Sequence, residues 1–183
     1  MLKYQLVFNK LMSKKTRPIV FAIFFGVFLL SFMIGTTTKM TLDQAIDFAR
    51  NFENQNQGID SLGLFVHNVS VSLAMFIPAV GAAWGAYTGW QTGMGFAAIV
   101  MANPDLASLS PVTLILGTSF GILEIVAYSI AMSRSFLLIW SLVKKRSLKA
   151  VIKPSLIEVG IVIVLLLVAG FLEYSSIQHN IPS

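Results

Sequence analysis

The chain has 183 residues, of which 56% are hydrophobic and only 11% are charged. A soluble domain carries about 25% charged residues, so this composition excludes an ordinary soluble protein and is typical of a membrane protein. The net charge of +5 does not indicate nucleic-acid binding, because ten of the thirteen Lys and Arg residues lie in two short segments, 1–17 and 144–153, beside apolar blocks. The absence of cysteine excludes disulfides, thiolate metal sites and a cysteine nucleophile.

Residues 1–17 contain basic residues but no acid, and their apolar residues recur at helical spacing. This pattern predicts a short basic amphipathic helix at the cytoplasmic interface of a membrane. The apolar run 19–35 follows Pro18 and is long enough to cross a bilayer. A secretory signal peptide is the competing interpretation, but the apolar core is long and no Ala-x-Ala cleavage pattern follows Gly35, so we favour a membrane span.

The segment 36–60 is the main polar insert between apolar runs. Thr41 and Gln44 have the spacing of a capping box, and apolar residues then share one helical face. The pattern predicts an external amphipathic helix over about 41–53. We interpret it as a surface helix that packs on the bundle or on the lipid interface, in preference to a lid over a ligand.

The uncharged run 61–103 is too long for one span, because about 40 residues would form roughly 60 Å of helix. Pro78 is the best position for a break, since proline suits the first turn of a helix and disrupts a helix interior. This predicts spans near 62–77 and 80–102. A turn at 88–91 is the alternative, but it leaves the second span too short.

The span 80–102 contains four glycines spaced by four residues, which places them on one helical face. Such a face allows close approach of another helix in a membrane. We predict a packing surface whose neighbour is the second or fourth span of this chain or a partner subunit. The four glycines are Gly81, Gly85, Gly89 and Gly93.

The run 112–143 exceeds one perpendicular span, so either it is a tilted, protruding helix or 112–118 forms a separate interfacial or re-entrant piece. A last span is predicted near 156–176. The chain is then an all-α, polytopic transmembrane helix bundle of about five spans, treated as a single membrane domain over residues 1–183, with the interfacial and external helices added.

The distribution of charge sets the predicted orientation in the cell membrane. Five spans with the N-terminus inside place both basic segments on the cytoplasmic side and the C-terminus outside, as the positive-inside rule favours. The basic segments are also expected to bind anionic lipid headgroups. The residues assigned to topology and headgroup binding are Lys14, Lys15, Arg17, Lys144, Lys145 and Arg146.

Ionisable residues inside apolar spans are the first candidates for function, because each is costly unless it is paired or hydrated. Glu124 lies well inside the fourth span, and we predict that it approaches His67 or Asn68 of the second span. A polar clasp between helices is preferred to a proton relay or a metal ligand pair. Arg134 is expected to extend its side chain to the cytoplasmic interface, and Glu158 to pair with the adjacent basic segment.

The sequence shows no nucleophile elbow, phosphate-binding loop, zinc signature or dinucleotide fingerprint. We therefore predict no catalytic residue, no metal and no cofactor, and no nucleic-acid partner.

The order of short motifs does resemble a known family. Phe65-Val66-His67-Asn68, a glycine-rich span, Gly121-Ile122-Leu123-Glu124, a basic loop and a final apolar helix are similar to the stage II sporulation protein M family over about 60–180. Members commonly have Pro-His-Gly before the Ile-x-Glu segment, whereas Ser119 and Phe120 occupy the Pro and His places here. This departure weakens a metal or hydrolytic role.

The resemblance implies a multi-span protein without established catalytic chemistry, similar to a membrane anchor that assembles peptidoglycan-degrading partners. Relatives occur in organisms that make no spores, so no sporulation role is implied. We expect a non-catalytic membrane subunit or scaffold that binds other membrane or envelope proteins or further copies of itself. The alternative is a small transporter or channel with Glu124, His67 and Asn68 along a polar path, and an intramembrane enzyme is the third and weakest interpretation.

Overall fold

A computed structural model describes residues 16–56, 60–103, 106, 108, 110–144 and 148–179, and regular structure in these residues is helical, without strands. The prediction of an all-helical chain is confirmed for this part of the protein. The helices, numbered in chain order within these ranges, are α1 Thr16–Thr36, α2 Leu42–Asn56, α3 Ser61–Ala74, α4 Gly81–Ala102, α5 Pro111–Gly117, α6 Ser119–Val143 and α7 Leu148–His179.

Three helical segments of the described chain are long and apolar enough to cross a membrane. They are the whole of α1, the whole of α6 and the part of α7 from Val151 to Ser176. Helix α3 is apolar but shorter, with 14 residues, and α4 has the length of a span but a less apolar composition. These segments and the chain's composition indicate a membrane protein.

Helix α6 is the centre of the fold, and α1, α4 and α7 pack around it. Its buried face includes two alanines and four serines, so the neighbouring backbones can approach closely. These residues are Ala127, Ala131, Ser129, Ser133, Ser135 and Ser141. Larger side chains fill the remaining space, among them Ile125 and Met132, which are fully buried. Helix α3 packs mainly on α7 and has little contact with α4, although the two are adjacent in sequence.

The glycine face of α4 is buried against helices of the same chain. Its upstream half meets α6, because Gly81 lies beside the Ser135 hydroxyl and Gly85 lies beside the Met132 side chain. Helix α3, which lies in the predicted second span, is not the main neighbour of this face. The described chain therefore supplies its own partners for the glycines.

The downstream half of the glycine face packs against α1. Gly89 faces the carbonyl and ring of Phe28, and Gly93 faces the backbone between Phe32 and Thr36. Both helices advance in the same direction along this contact, so α1 and α4 are parallel. A methyl group on Gly93 would overlap the Phe32 carbonyl oxygen, which shows that the backbones are in direct contact.

The break near Pro78 is a six-residue turn between α3 and α4, so α3 ends at Ala74 and does not continue through 77. The amides of Met75, Phe76 and Ile77 bond to carbonyls three residues earlier. The Ile77 carbonyl accepts a 2.8 Å bond from the Gly81 amide and a 2.7 Å bond from the Ser135 hydroxyl of α6. Backbone groups of a turn at membrane depth need such internal partners, since apolar surroundings offer none.

The run 112–143 contains two helices, α5 and α6, which are separated at Thr118. Thr118 has extended backbone angles and its side chain accepts a 3.2 Å bond from the Gly121 amide. This is an N-cap, and it starts α6 as a new helix. A side chain at Gly121 would overlap the Ile115 carbonyl, so α5 folds back tightly on the first turn of α6.

The polar insert contains α2, which begins at Leu42, within the capping box of Thr41 and Gln44. The Thr41 amide donates to Gln44 Oε1 at 2.9 Å, and the Gln44 amide donates to Thr41 Oγ1 at 3.3 Å. Ala45 is fully buried, and the Phe48 ring lies against Gly95 of α4. The apolar face of α2 therefore packs on the bundle, and nothing within the described residues indicates a lid over a ligand.

The close contact of α1 and α4 gives a first test. We expect Gly93→Ala to lower the free energy of unfolding by about 1–3 kcal/mol, because the added methyl group overpacks a backbone contact. The control is Gly26→Ala, since a methyl group there would meet no atom within 4 Å. Thermal unfolding of both variants in detergent measures the difference, and equal midpoints would contradict the packing described here.

Candidate functional site

A cluster of three polar side chains joins α3 to α6, and we name Asn68, Glu124 and Tyr128 the amide–carboxyl cluster. Asn68 is buried and its Nδ2 donates to Glu124 Oε1 at 2.6 Å. The Tyr128 hydroxyl donates to Asn68 Oδ1 at 3.2 Å. Glu124 and Tyr128 are four residues apart, so one face of α6 presents both groups to a single side chain of α3.

His67 does not join this cluster. Consecutive helical residues point about 100° apart, so when Asn68 faces α6 the neighbouring His67 faces outward, where it is exposed. Of the two residues that the sequence offered as partners of Glu124, the structure brings only Asn68 to it. Glu173 of α7 is close enough to act on Glu124 electrostatically, so a second acid lies near the cluster.

A second cluster, the arginine–glutamate cluster, consists of Arg17, Arg134 and Glu158 from α1, α6 and α7. Arg17 donates through Nε to Glu158 Oε1 at 2.7 Å and through Nη2 to Oε2 at 2.8 Å. Arg134 donates through Nε to Glu158 Oε2 at 2.8 Å, and its Nη2 bonds to Oε1. Each guanidinium therefore binds the same carboxylate with two bonds, which is the strong, planar form of this interaction.

The same cluster also extends to the serine face of α6. Arg17 Nη1 donates to the Ser133 hydroxyl at 2.8 Å, and Nη2 approaches the Ile130 carbonyl at 3.3 Å. The Arg134 side chain is 5% exposed, and those of Glu158 and Arg17 are 15% and 26% exposed. Two positive charges and one negative charge thus lie where three helices meet, mostly shielded from solvent.

Sequence reasoning placed Arg134 and Glu158 differently. Arg134 was expected to reach the interface and Glu158 to pair with the neighbouring basic segment, but the two bind each other. Their opposite charges in consecutive long apolar helices were the available signal. Arg17 was harder to identify from the sequence as a partner of Glu158. The two are 141 residues apart in sequence, and Arg17 belongs to a basic segment that was assigned to topology.

The other residues assigned to topology and lipid headgroups are only partly described. Lys14, Lys15, Lys145 and Arg146 lie outside the described residues. The Lys144 amine lies 5.4 Å from the centroid of the Trp140 ring, within the range of a cation–π contact. Arg17 differs from the assignment to lipid headgroups, because its guanidinium is bound to Glu158.

Four serine hydroxyls of α6 bond to protein atoms. Those of Ser129 and Ser141 donate to carbonyls four residues earlier, at 2.6 and 2.8 Å, and that of Ser135 donates to the turn before α4. Within the ranges that the structure describes, no three His, Asp or Glu side chains are grouped as metal ligands. The arrangement is suited to holding helices together.

The arginine–glutamate cluster gives the second test. Removing one partner of a buried ion pair costs about 3–5 kcal/mol, and we expect Glu158→Gln to cost about 3 kcal/mol because Arg17 is partly hydrated. The matched control is Arg50→Gln, which removes a 3.9 Å pair with Asp47 between side chains that are 68% and 72% exposed. Such a surface pair contributes about 0–1 kcal/mol.

Unfolding of the two variants by heat in the same detergent compares these losses. Equal shifts for Glu158→Gln and Arg50→Gln would mean that the cluster does not hold the three helices.

The amide–carboxyl cluster gives the third test. Tyr128→Phe removes one buried hydrogen bond and leaves Asn68 Oδ1 without that donor, so we expect a loss of about 1–2 kcal/mol. Tyr87→Phe is the control, because Tyr87 is 46% exposed and its hydroxyl can bond to water or to headgroups. The free energies of unfolding of the two variants should differ by most of the expected loss, and a loss confined to Tyr87→Phe would refute the cluster.

One of three comparisons with known proteins gives a match. The family model described as Stage II sporulation protein M matches residues 8–174. Searches of the curated proteins and of the solved structures returned no match. The matched region covers the described helices from α1 to most of α7, and both polar clusters lie within it. The chain therefore belongs to the stage II sporulation protein M family of proteins.

Proposed function

We propose that this protein is a non-catalytic integral membrane subunit, a scaffold that packs with and organises other membrane or envelope proteins. The supporting observation is that the charged side chains within the apolar helices bind other side chains of the same chain. Glu158 is held by Arg17 and Arg134, and Glu124 is held by Asn68. Groups engaged in helix–helix contacts stabilise an architecture, whereas an active site needs groups that converge on a substrate.

The proposed topology has five spans, with the N-terminus inside and the C-terminus outside. The arginine–glutamate cluster supports this topology, because its contacts bring three helix segments towards the same side of the membrane. These segments are the beginning of α1, the second half of α6 and the first half of α7. Gly170 lies beside Phe65, so the end of α7 and the beginning of α3 lie together. In the proposed topology both are on the side of the membrane opposite the arginine–glutamate cluster. The parallel contact of α1 and α4 agrees with an outward direction for both.

The charge distribution supports the same orientation. The segments 1–17 and 144–153 together contain ten basic residues and no acid, and both would lie in the cytoplasm. The acidic residues of α2 and the connections on the other side would lie outside.

A transport path is less well supported than a subunit role. Such a path would need Glu124, Asn68 and His67 to line one passage, but His67 is exposed on another face of α3. The serine hydroxyls that continue along α6 are bonded to backbone carbonyls. These groups thus lack the shared water-accessible surface on which transport depends.

Purification from native membranes tests the proposed function. We expect the tagged chain in mild detergent to retain other membrane or envelope proteins in near-stoichiometric amounts, as quantified by mass spectrometry. An unrelated tagged membrane protein of similar size is the control for adventitious binding. A chain that purifies alone, together with solute or ion flux in vesicles that Glu124→Gln abolishes, would instead support the transporter.

A further inference from the structure

The arginine–glutamate cluster carries more positive than negative charge. The guanidinium groups of Arg17 and Arg134 share the one carboxylate of Glu158, and an arginine side chain stays charged at any physiological pH. The two arginine side chains are only 26% and 5% exposed. One positive charge is therefore left without a counter-charge where little water is present, which is costly unless an anion lies nearby.

Acids elsewhere in the same helices are too distant to supply that anion. Glu124 is ten residues from Arg134 along α6, and Glu173 is fifteen residues from Glu158 along α7. At 1.5 Å per residue these separations are about 15 and 22 Å. Both acids therefore lie towards the opposite end of the bundle.

The acids outside α6 and α7 do not supply it either. Helix α2, with three acids, packs at Gly95 in the second half of α4, whereas the beginning of α4 lies beside α6 at Ser135. Asp60 precedes Ser61, whose carbonyl lies beside Gly170 near the end of α7. The remaining acid follows α4 outside the described residues, and the basic segments 1–17 and 144–153 contain no acid. The missing negative charge is therefore expected from another molecule.

An open groove on α7 ends one residue before Glu158. Its lining residues are Ile152, Lys153, Leu156 and Ile157, and all four are exposed. Lys153 takes part in none of the ion pairs of the described residues. It is five residues, about 7.5 Å of helix, from Glu158. A lysine and three apolar side chains thus lie together close to the cluster.

We propose that the groove and the cluster together bind an acidic phospholipid of the cytoplasmic leaflet. Lys153 donates to the lipid phosphate, and the phosphate supplies the negative charge that the cluster lacks. An acyl chain lies on Leu156 and Ile157. Arg17, although bound to Glu158, is the more exposed of the two arginines and adds its charge to the site.

The combination of charged and apolar groups selects a lipid as the occupant. Free phosphate or an acidic peptide in the cytoplasm would supply the charge, but neither has an acyl chain for the apolar side of the groove. In the five-span topology the beginning of α7 lies at the cytoplasmic surface, where acidic lipids attract basic residues. The proposal thus rests on the proposed function and its topology, and it names a lipid partner for one end of the bundle.

Thermal unfolding of the full-length chain in nanodiscs tests this site. One set of nanodiscs contains phosphatidylcholine, which has no net charge, and the other contains a mixture of phosphatidylcholine and phosphatidylglycerol. We expect the mixture to raise the unfolding midpoint by about 2–4 °C for each basic residue that acts on the headgroup. Inorganic phosphate added to the phosphatidylcholine nanodiscs should give no such rise.

Three variants locate the effect. Lys153→Gln and Arg17→Gln should each remove about half of the rise. Arg17→Gln also lowers the midpoint in both lipids, so the difference between the two lipids is compared, and Lys153 is exposed, so its variant keeps the packing of the bundle. The matched control is Lys39→Gln, which removes the same charge at an exposed position between α1 and α2 and should keep the full rise.

Each outcome decides the proposal. A rise in the mixture that Lys153→Gln reduces and Lys39→Gln keeps supports it. No rise, a rise that Lys153→Gln leaves intact, or an equal loss in Lys39→Gln overturns it, and an equal rise with inorganic phosphate overturns a lipid as the source of the anion. Carbodiimide cross-linking of Lys153 to an acidic residue of another protein in native membranes also overturns the lipid, but that result supports the role as a membrane subunit, so the two proposals fail separately.

Discussion

Glu158 binds two arginines from two other helices, and this arrangement follows from one constraint, the lack of water among closely packed apolar helices. A carboxylate or guanidinium in such surroundings is stable only when its charge and its hydrogen bonds are matched nearby. Arg17, Arg134 and Glu158 meet the hydrogen-bond part of that requirement with planar, two-bond contacts, and the one carboxylate is shared by two positive charges. The same requirement applies to the backbone, where the Ser135 hydroxyl supplies a partner to the Ile77 carbonyl in the turn before α4. Polar contacts thus fix which helices are neighbours and at what height.

Close packing is the second way in which the helices are held together. Burial in a membrane gives little hydrophobic preference for one helix arrangement over another, so contact area and shape decide. Helix α6 supplies alanines and serines, and α4 supplies a glycine face that meets α6 at one end and α1 at the other. Close packing and polar contacts act on the same helices. Met132 of α6 packs on Gly85, whereas the next two residues, Ser133 and Arg134, bond within the charged cluster. This central position explains why α6 is the most buried of the three long apolar segments.

The distribution of satisfied and unsatisfied polar groups carries the functional interpretation. Two hydrogen bonds through Asn68 join Glu124 and Tyr128, and four bonds join the two arginines to Glu158. His67 differs, since it faces away from the bundle on a short helix. A protein whose intramembrane charged groups bind other side chains of the same chain, and whose outer face presents a polar residue, is suited to association with another membrane protein. Membership in the stage II sporulation protein M family is compatible with this role, although the departure at Ser119 and Phe120 separates the chain from members with Pro-His-Gly.

The sequence by itself determined the helical membrane class, the break at Pro78, the glycine face, the capping box and the family, because each depends on composition or on spacing within one segment. Tertiary structure alone decided which helices become neighbours. Local periodicity indicated that Gly81 to Gly93 pack closely, but the choice of α1 and α6 over α3 depends on the shapes of surfaces distant in sequence. For the same reason the sequence offered both His67 and Asn68 as partners of Glu124, and only the rotation of α3 selects Asn68. Arg17 and Glu158 are separated by 141 residues, and a contact over that distance is set by the path of the whole chain and not by the pattern around either residue.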